Sequence, residues 1–174
     1  MIPNTKIRDM IKQYIPSSFS DLNKKLYIGV VDSNKAQYIL FDEWDLHDIV
    51  LGSMAIPFVF PPVRYKDYLF MDGGVLNNFP VDLAKKIYPH NEIIGIALNK
   101  FNENQTISTA WENLRVCYDV ALKSQIIKHL DLVDYLFYRD IPIPTLSLDK
   151  DKYDQAFNMW YEDSMKMFGK KKEN

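Results

Sequence analysis

Apolar residues along this chain recur with two periods, and the switches between them divide it into elements. Ile7, Met10, Ile11 and Tyr14 fall three and four apart, which predicts one apolar face of a helix over residues 4–15, stopped by Pro16. The runs LYIGVV at 26–31 and YILF at 38–41 have strand composition. Between them stands Asp32-Ser33-Asn34-Lys35, whose short polar side chains bond their own backbone, so the two strands form a hairpin. Asp45 can cap a short helix over 46–54, which must end before Pro57 because proline disfavours a helical residue ahead of it. An extended stretch pinned by Pro61 and Pro62 follows over 58–63. A short apolar strand at 68–71 then runs into Asp72-Gly73-Gly74.

The second half alternates the same way. Pro80 suits the first position of a helix reaching about Tyr88, where its missing N–H is not needed. Asp82 lies in that first turn, favourably placed for the helix dipole. The run EIIGIAL at 92–98 is apolar enough to be a strand covered on both faces. A long helix over 109–130, a strand at 135–138 and a closing helix over 152–168 complete the pattern, with Asp149, Asp151 and Asp154 reading as the cap of that last helix. Strands alternating with helices imply an α/β domain, a layered sheet flanked by helices. The chain opens on one helix and a hairpin, which leaves few parallel strands for a complete sheet of this type. The expectation is an incomplete domain, residues 1–174 being the C-terminal portion of a single one.

Composition narrows the function classes. Basic and acidic residues, 21 and 23, nearly balance and are scattered, so no stripe exists to track a phosphate backbone and nucleic acid is not expected as a partner. The one cluster, Lys170-Lys171-Lys172, reads as a solvated tail, with contact to anionic lipid as the alternative. Cys117 is the only cysteine, which excludes an intrachain disulfide and any cysteine-built metal site. The first residues show no basic start followed by an apolar run, so no secretory signal is read. The longest apolar run, 50–63, is broken by three prolines and is too short for a bilayer. A soluble protein of the reducing cytoplasm is expected.

The chemistry concentrates in residues 52–82. Asp72 ends a core strand and is followed by two glycines, which permit positive φ and close approach of another group. A carboxylate so placed faces the side where α/β sheets bind ligands, and burial would raise its proton affinity. The alternative is a carboxylate that only caps a turn, accepting from the amides of Gly74 and Val75. Spacing alone leaves both open. The wider pattern, Ser53-x-Ala55-x-Pro57-x-x-Phe60-Pro61-Pro62, then Asp72-Gly73-Gly74 and Asn77-Asn78-x-Pro80, resembles the patatin-like phospholipase family over about residues 24–100. The resemblance implies a lipid acyl hydrolase of the serine–aspartate type, with a lipid or ester substrate, contact with a membrane surface, and no cofactor or metal. It makes Asp72 the general base toward a serine in a G-x-S-x-G elbow. Gly73 and Gly74 would keep the turn tight, while Asn77, Asn78 and Pro80 hold the loop and start the next helix.

The elbow itself is missing. It requires glycines four apart around the serine, because the strained turn tolerates nothing bulky. The glycines here are 29, 52, 73, 74, 95 and 169, and no two are four apart. Ser53 is the nearest substitute, but it belongs to the S-x-A-x-P segment and reads as a packing and helix-ending residue. The family's glycine-rich oxyanion loop is absent too. His47, His90 and His129 have no second ligand three or four residues on, and read as surface or capping residues. Asp149, Asp151 and Asp154 lack the glycine and closing glutamate of a calcium loop. Two expectations follow. In the first, the chain supplies the aspartate of a lipid acyl hydrolase whose N-terminal half lies elsewhere, and is inactive alone. In the second, it is a degenerate module that binds an acyl chain, a membrane or a protein through the aromatic 58–60 region.

Overall fold

The computed structural model describes residues 4–97, 107–138 and 150–169. Asp149, Lys170-Lys171-Lys172 and the last residue of the 92–98 run lie outside them. The first helix, α1 (Asn4–Tyr14), buries Ile11 and hands the chain to Ser17, whose carbonyl accepts from the Leu46 amide at 2.8 Å. The expected hairpin is β1 (Ile28–Asp32) and β2 (Gln37–Phe41), with Val30 opposite Ile39 and Val31 opposite Tyr38. Asp32 closes its turn by accepting from the Asn34 amide at 3.1 Å. Helix α2 (Leu46–Ser53) is capped by Asp45, which accepts from the Asp48 amide, so that cap was readable from sequence.

The proline-rich stretch departs from expectation. Residues after Pro57 form a tight turn, with the Val59 and Phe60 amides both donating to Ile56, and Phe58 stands at φ 71°. Only at Val63 does the backbone extend, as β3 (Val63–Tyr65), which pairs with β4 (Tyr68–Asp72) in a second hairpin. Strand β4 also pairs antiparallel with β1, setting Asp72 across from Val30 and giving a sheet ordered β2-β1-β4-β3. Helix α2 packs on β1, β3 and β4, and α1 on α2. The core between them holds Val30, Phe41, Leu46, Ile49, Val63 and Phe70. An Arg8–Asp48 ion pair ties α1 to α2.

A second layer follows. Pro80 sits at the N-cap of α3 (Val81–Ile87), one place before the expected position. Strand β5 (Ile94–Ala97) pairs parallel with β6 (Tyr135–Tyr138). Between them runs α4 (Ala110–Ile127), opened by a capping box in which Thr109 and Glu112 satisfy each other's amides. Phe79, Val81, Ile93, Ala97 and Ile126 form the core here. The expectation that this strand is covered on both faces fails: Ile94 and Ile96 are 50% and 58% exposed. Successive strand residues point to opposite faces, and the core residues named above cover only the one that carries Gly95 and Ala97. Helix α5 (Lys150–Phe168) lies against β6 through Phe137, Trp160 and Phe168. The architecture is α/β, with sheets flanked by helices. Among the described residues no helix is long and apolar enough to cross a membrane.

Candidate active site

Asp72 is the last residue of β4, and its amide donates to the Ala55 carbonyl at 3.1 Å, fastening the strand end to the chain leaving α2. From there the chain enters a single 3₁₀ turn, Gly73–Val75, capped by Asp72 itself: Oδ1 accepts from the Gly74 amide at 2.7 Å. The Val75 amide, the other donor expected of a capped turn, takes no part. Among the described residues the second carboxylate oxygen has no hydrogen-bond partner. Burial pushes the Asp72 carboxyl above its ordinary value, and the Gly74 amide opposes this only in part. The group is thus both a turn cap and a half-free base.

The glycines around it serve close approach. None of the described glycines has positive φ, which corrects the conformational half of the expectation for Gly73 and Gly74. A Cβ at Gly73 would lie 2.4 Å from the Gly29 carbonyl oxygen, and one at Gly74 would lie 2.8 Å from Asn78 Oδ1. A Cβ at Gly29 would fall 1.8 Å from the Tyr38 hydroxyl, so that phenol lies directly over the β1 backbone. Together these residues line a cleft of about 270 Å³ that includes Tyr27, Tyr38, Ser53, Asp72, Asn77 and Pro80. Burial, reinforced by the carboxylates of Asp82 and Asp72, raises the Tyr38 phenol to about 12. Burial, with Asp72 and Asp119, does the same for Tyr118 on α4. Both stay protonated at neutral pH and so keep an O–H to donate there.

Ser53 reaches the cleft, but its hydroxyl donates to the Val50 carbonyl at 2.8 Å, as a helix-ending serine does. Asn77 holds the loop as expected, giving its amide N–H to Asp82 at 3.0 Å and accepting from the Phe79 amide at 3.3 Å. His129 meets the Phe79 carbonyl through Nδ1 at 3.3 Å, with Asp82 3.8 Å away. Among the described residues no cluster of His, Cys, Asp or Glu could hold a metal. A larger hollow of about 340 Å³ lies between β6 and α5, but its charged residues, Asp163 and Lys166, face each other at the surface. The half-buried Asp72 carboxylate, raised in proton affinity, marks the smaller cleft as the chemical one.

Sequence reasoning missed Gln125. From α4 its carboxamide accepts from the Asn78 amide at 2.7 Å and donates to the Val75 carbonyl at 3.3 Å, bridging both ends of the loop that follows Asp72. Nothing local announces a residue 47 positions away. Gln125→Ala leaves both backbone groups without this partner, at an expected cost of about 1–3 kcal/mol. Hydrogen exchange should speed at Asn78 more than in β1; unchanged protection at Asn78 would show that the bridge does not hold the loop.

The residues that line the cleft sit within a recognisable family segment, whereas Tyr118 and Gln125 lie beyond it. Residues 1–85 match the family model for patatin-like phospholipase. The matched residues run from α1 into α3 and include Asp72, Gly73 and Gly74, so this stretch is similar to patatin-like phospholipases. A 36-residue stretch is 47% identical to "Probable lipid hydrolase 463L" of Invertebrate iridescent virus 6, covering 21% of this chain and 12% of that protein. A 104-residue stretch is 32% identical to "Uncharacterized protein L620" of Acanthamoeba polyphaga mimivirus, covering 44% of this chain and 27% of that one. The matched stretches thus span about an eighth and a quarter of these relatives' lengths.

Proposed function

We propose that this chain is the aspartate-bearing, C-terminal portion of a lipid acyl hydrolase of the serine–aspartate type, acting on a lipid or other carboxylic ester in the cytoplasm or at a membrane surface. The observation that carries the reading is the Asp72 carboxylate: half-buried in a cleft, raised in proton affinity, with one oxygen fixed by Gly74 and the other without a partner among the described residues. A hydroxyl brought to that second oxygen would give up its proton to Asp72 as its oxygen attacks the ester carbonyl. Asp72 would return the proton to the departing alcohol, and repeat the exchange with water to release the acid. The serine comes from outside these 174 residues, since Ser53 spends its proton on Val50 and no elbow spacing exists.

The exposed Ile94 and Ile96 support the missing half, because a buried strand of this kind is normally covered on both faces. The test mixes the purified chain with a polypeptide carrying the G-x-S-x-G portion of a patatin-like phospholipase and follows hydrolysis of a p-nitrophenyl ester. Each part alone should be silent and the mixture active. A complex that forms but never turns over would favour the second reading, a degenerate binding module, whose own support is the exposed aromatic ring of Phe58.

A further inference from the structure

Helix α4 connects Asp72 to an aromatic pair that the chemistry above does not use. Trp111, Leu114 and Tyr118 stand three and then four residues apart, on one face of the helix. At the C-terminal end of this row stands Tyr118, two turns before Gln125, whose carboxamide holds the loop that follows Asp72, so the row runs toward that loop. The Asp72 charge acts on the Tyr118 phenol. At the other end the Trp111 ring meets Phe58 edge-on, with centroids 5.5 Å apart. Seven residues at the helical rise put these ends about 10 Å apart along the axis. Trp111, Leu114 and Phe58 are 59%, 42% and 56% exposed, so the row is open to a ligand.

Phe58 adds a second observation. It holds φ 71°, a conformation that a bulky residue rarely adopts and that persists only where the surroundings enforce it. The turn that enforces it is made by the Val59 and Phe60 amides closing on Ile56, after Pro57. Its result is a ring placed across the end of the row. Arg115, four residues after Trp111 and three before Tyr118, borders the row, and its guanidinium pairs with Asp119 at 2.8 Å.

We propose that this face of α4 seats the acyl chain of the substrate, with the ester end at Asp72 and the Phe58–Trp111 pair limiting its length. The inference rests on the lipid-hydrolase reading and adds which surface reads the acyl chain. Apolar burial makes each added methylene tighten binding about fourfold. That gain stops where the chain reaches the ring pair.

The experiment needs no turnover, so its failure is separable from failure of the hydrolase reading. The intact chain is titrated with hexanol, octanol, decanol and dodecanol while its three tryptophan indole N–H signals are followed by NMR. The Trp111 signal should shift saturably, with Trp44 and Trp160 still, and affinity should climb about fourfold per methylene before levelling. Leu114→Asp should weaken octanol at least tenfold, whereas Tyr161→Asp, on the exposed face of α5, should leave it unchanged. Phe58→Gly, which keeps the turn because glycine accepts positive φ, should move the levelling point to longer alcohols. Three tryptophans shifting alike, or equal losses from Leu114→Asp and Tyr161→Asp, would mean indiscriminate partition onto apolar surface and would overturn the proposal. An unmoved levelling point in Phe58→Gly would overturn the length limit. Specific alcohol binding together with a reconstituted enzyme that stays inactive would sink the hydrolase reading alone.

Discussion

Asp72→Asn is expected to abolish ester hydrolysis in the reconstituted enzyme while making the folded chain more stable at neutral pH. Loss of a general base costs about 10²–10⁴ in rate. The stability gain follows from the direction of the Asp72 shift. Burial holds the carboxyl above its unfolded value, so the folded chain binds that proton more tightly than the unfolded chain does. Folding stability therefore falls as pH rises through the window from about 3.9 up to the raised folded value, and the deficit persists above it. Asparagine keeps an oxygen to accept the Gly74 amide but never ionises, so it escapes the deficit. Melting temperatures measured across pH should show the variant ahead at neutrality and the two proteins converging below about pH 4. A variant that melts lower at neutral pH would mean that the carboxylate's charge is stabilised in the fold, contrary to a base whose proton affinity is raised by partial burial.

The largest stability loss is expected from Phe70→Ala. Phe70 is fully buried at the centre of the antiparallel sheet. Its ring stacks on Tyr68 at 5.3 Å and Tyr65 at 6.0 Å, and meets Phe41 edge-on at 5.5 Å. Helix α2 comes down on it at Gly52, where a Cβ would fall 2.9 Å from that of Phe70. Removing the ring leaves a cavity beneath α2 that four surrounding elements cannot jointly close, at about 3–5 kcal/mol. Domains of this size are commonly stable by about 5–15 kcal/mol, so the variant should lie near the edge of folding. Urea unfolding measures the loss. A change under about 1 kcal/mol would show that the aromatic cluster is not the core that holds β4, and hence Asp72, in place.

The parts of the fold that were legible from sequence are those whose causes are local. Asp32 through Lys35 between two apolar runs gives the β1–β2 hairpin, and Asp45 gives the start of α2, because side chain and amide are a few residues apart. Asp72 at the end of an apolar strand was legible for the same reason. The stretch after Pro57 was not. Its prolines argue for extension, and the turn is closed instead by two amides on the Ile56 carbonyl. The exposure of Ile94 and Ile96 was also hidden, since an apolar run records what a strand can bury and not what arrives to cover it.

The site divides along the same line. Asp72, Gly73 and Gly74 could be named from their neighbours and from the family pattern around them. The phenol of Tyr38 over Gly29, the Gln125 bridge and the Phe58–Trp111 pair could not, because each joins segments that meet only when β1, β4 and α4 are brought together. Sequence by itself determined which groups the chain carries: a carboxylate at a strand end, glycines beside it, and no serine elbow. Tertiary structure alone decided how that carboxylate behaves. Its affinity for a proton depends on how much water the surrounding elements exclude and on which of its oxygens a neighbouring amide occupies, and neither is written in the residues beside it.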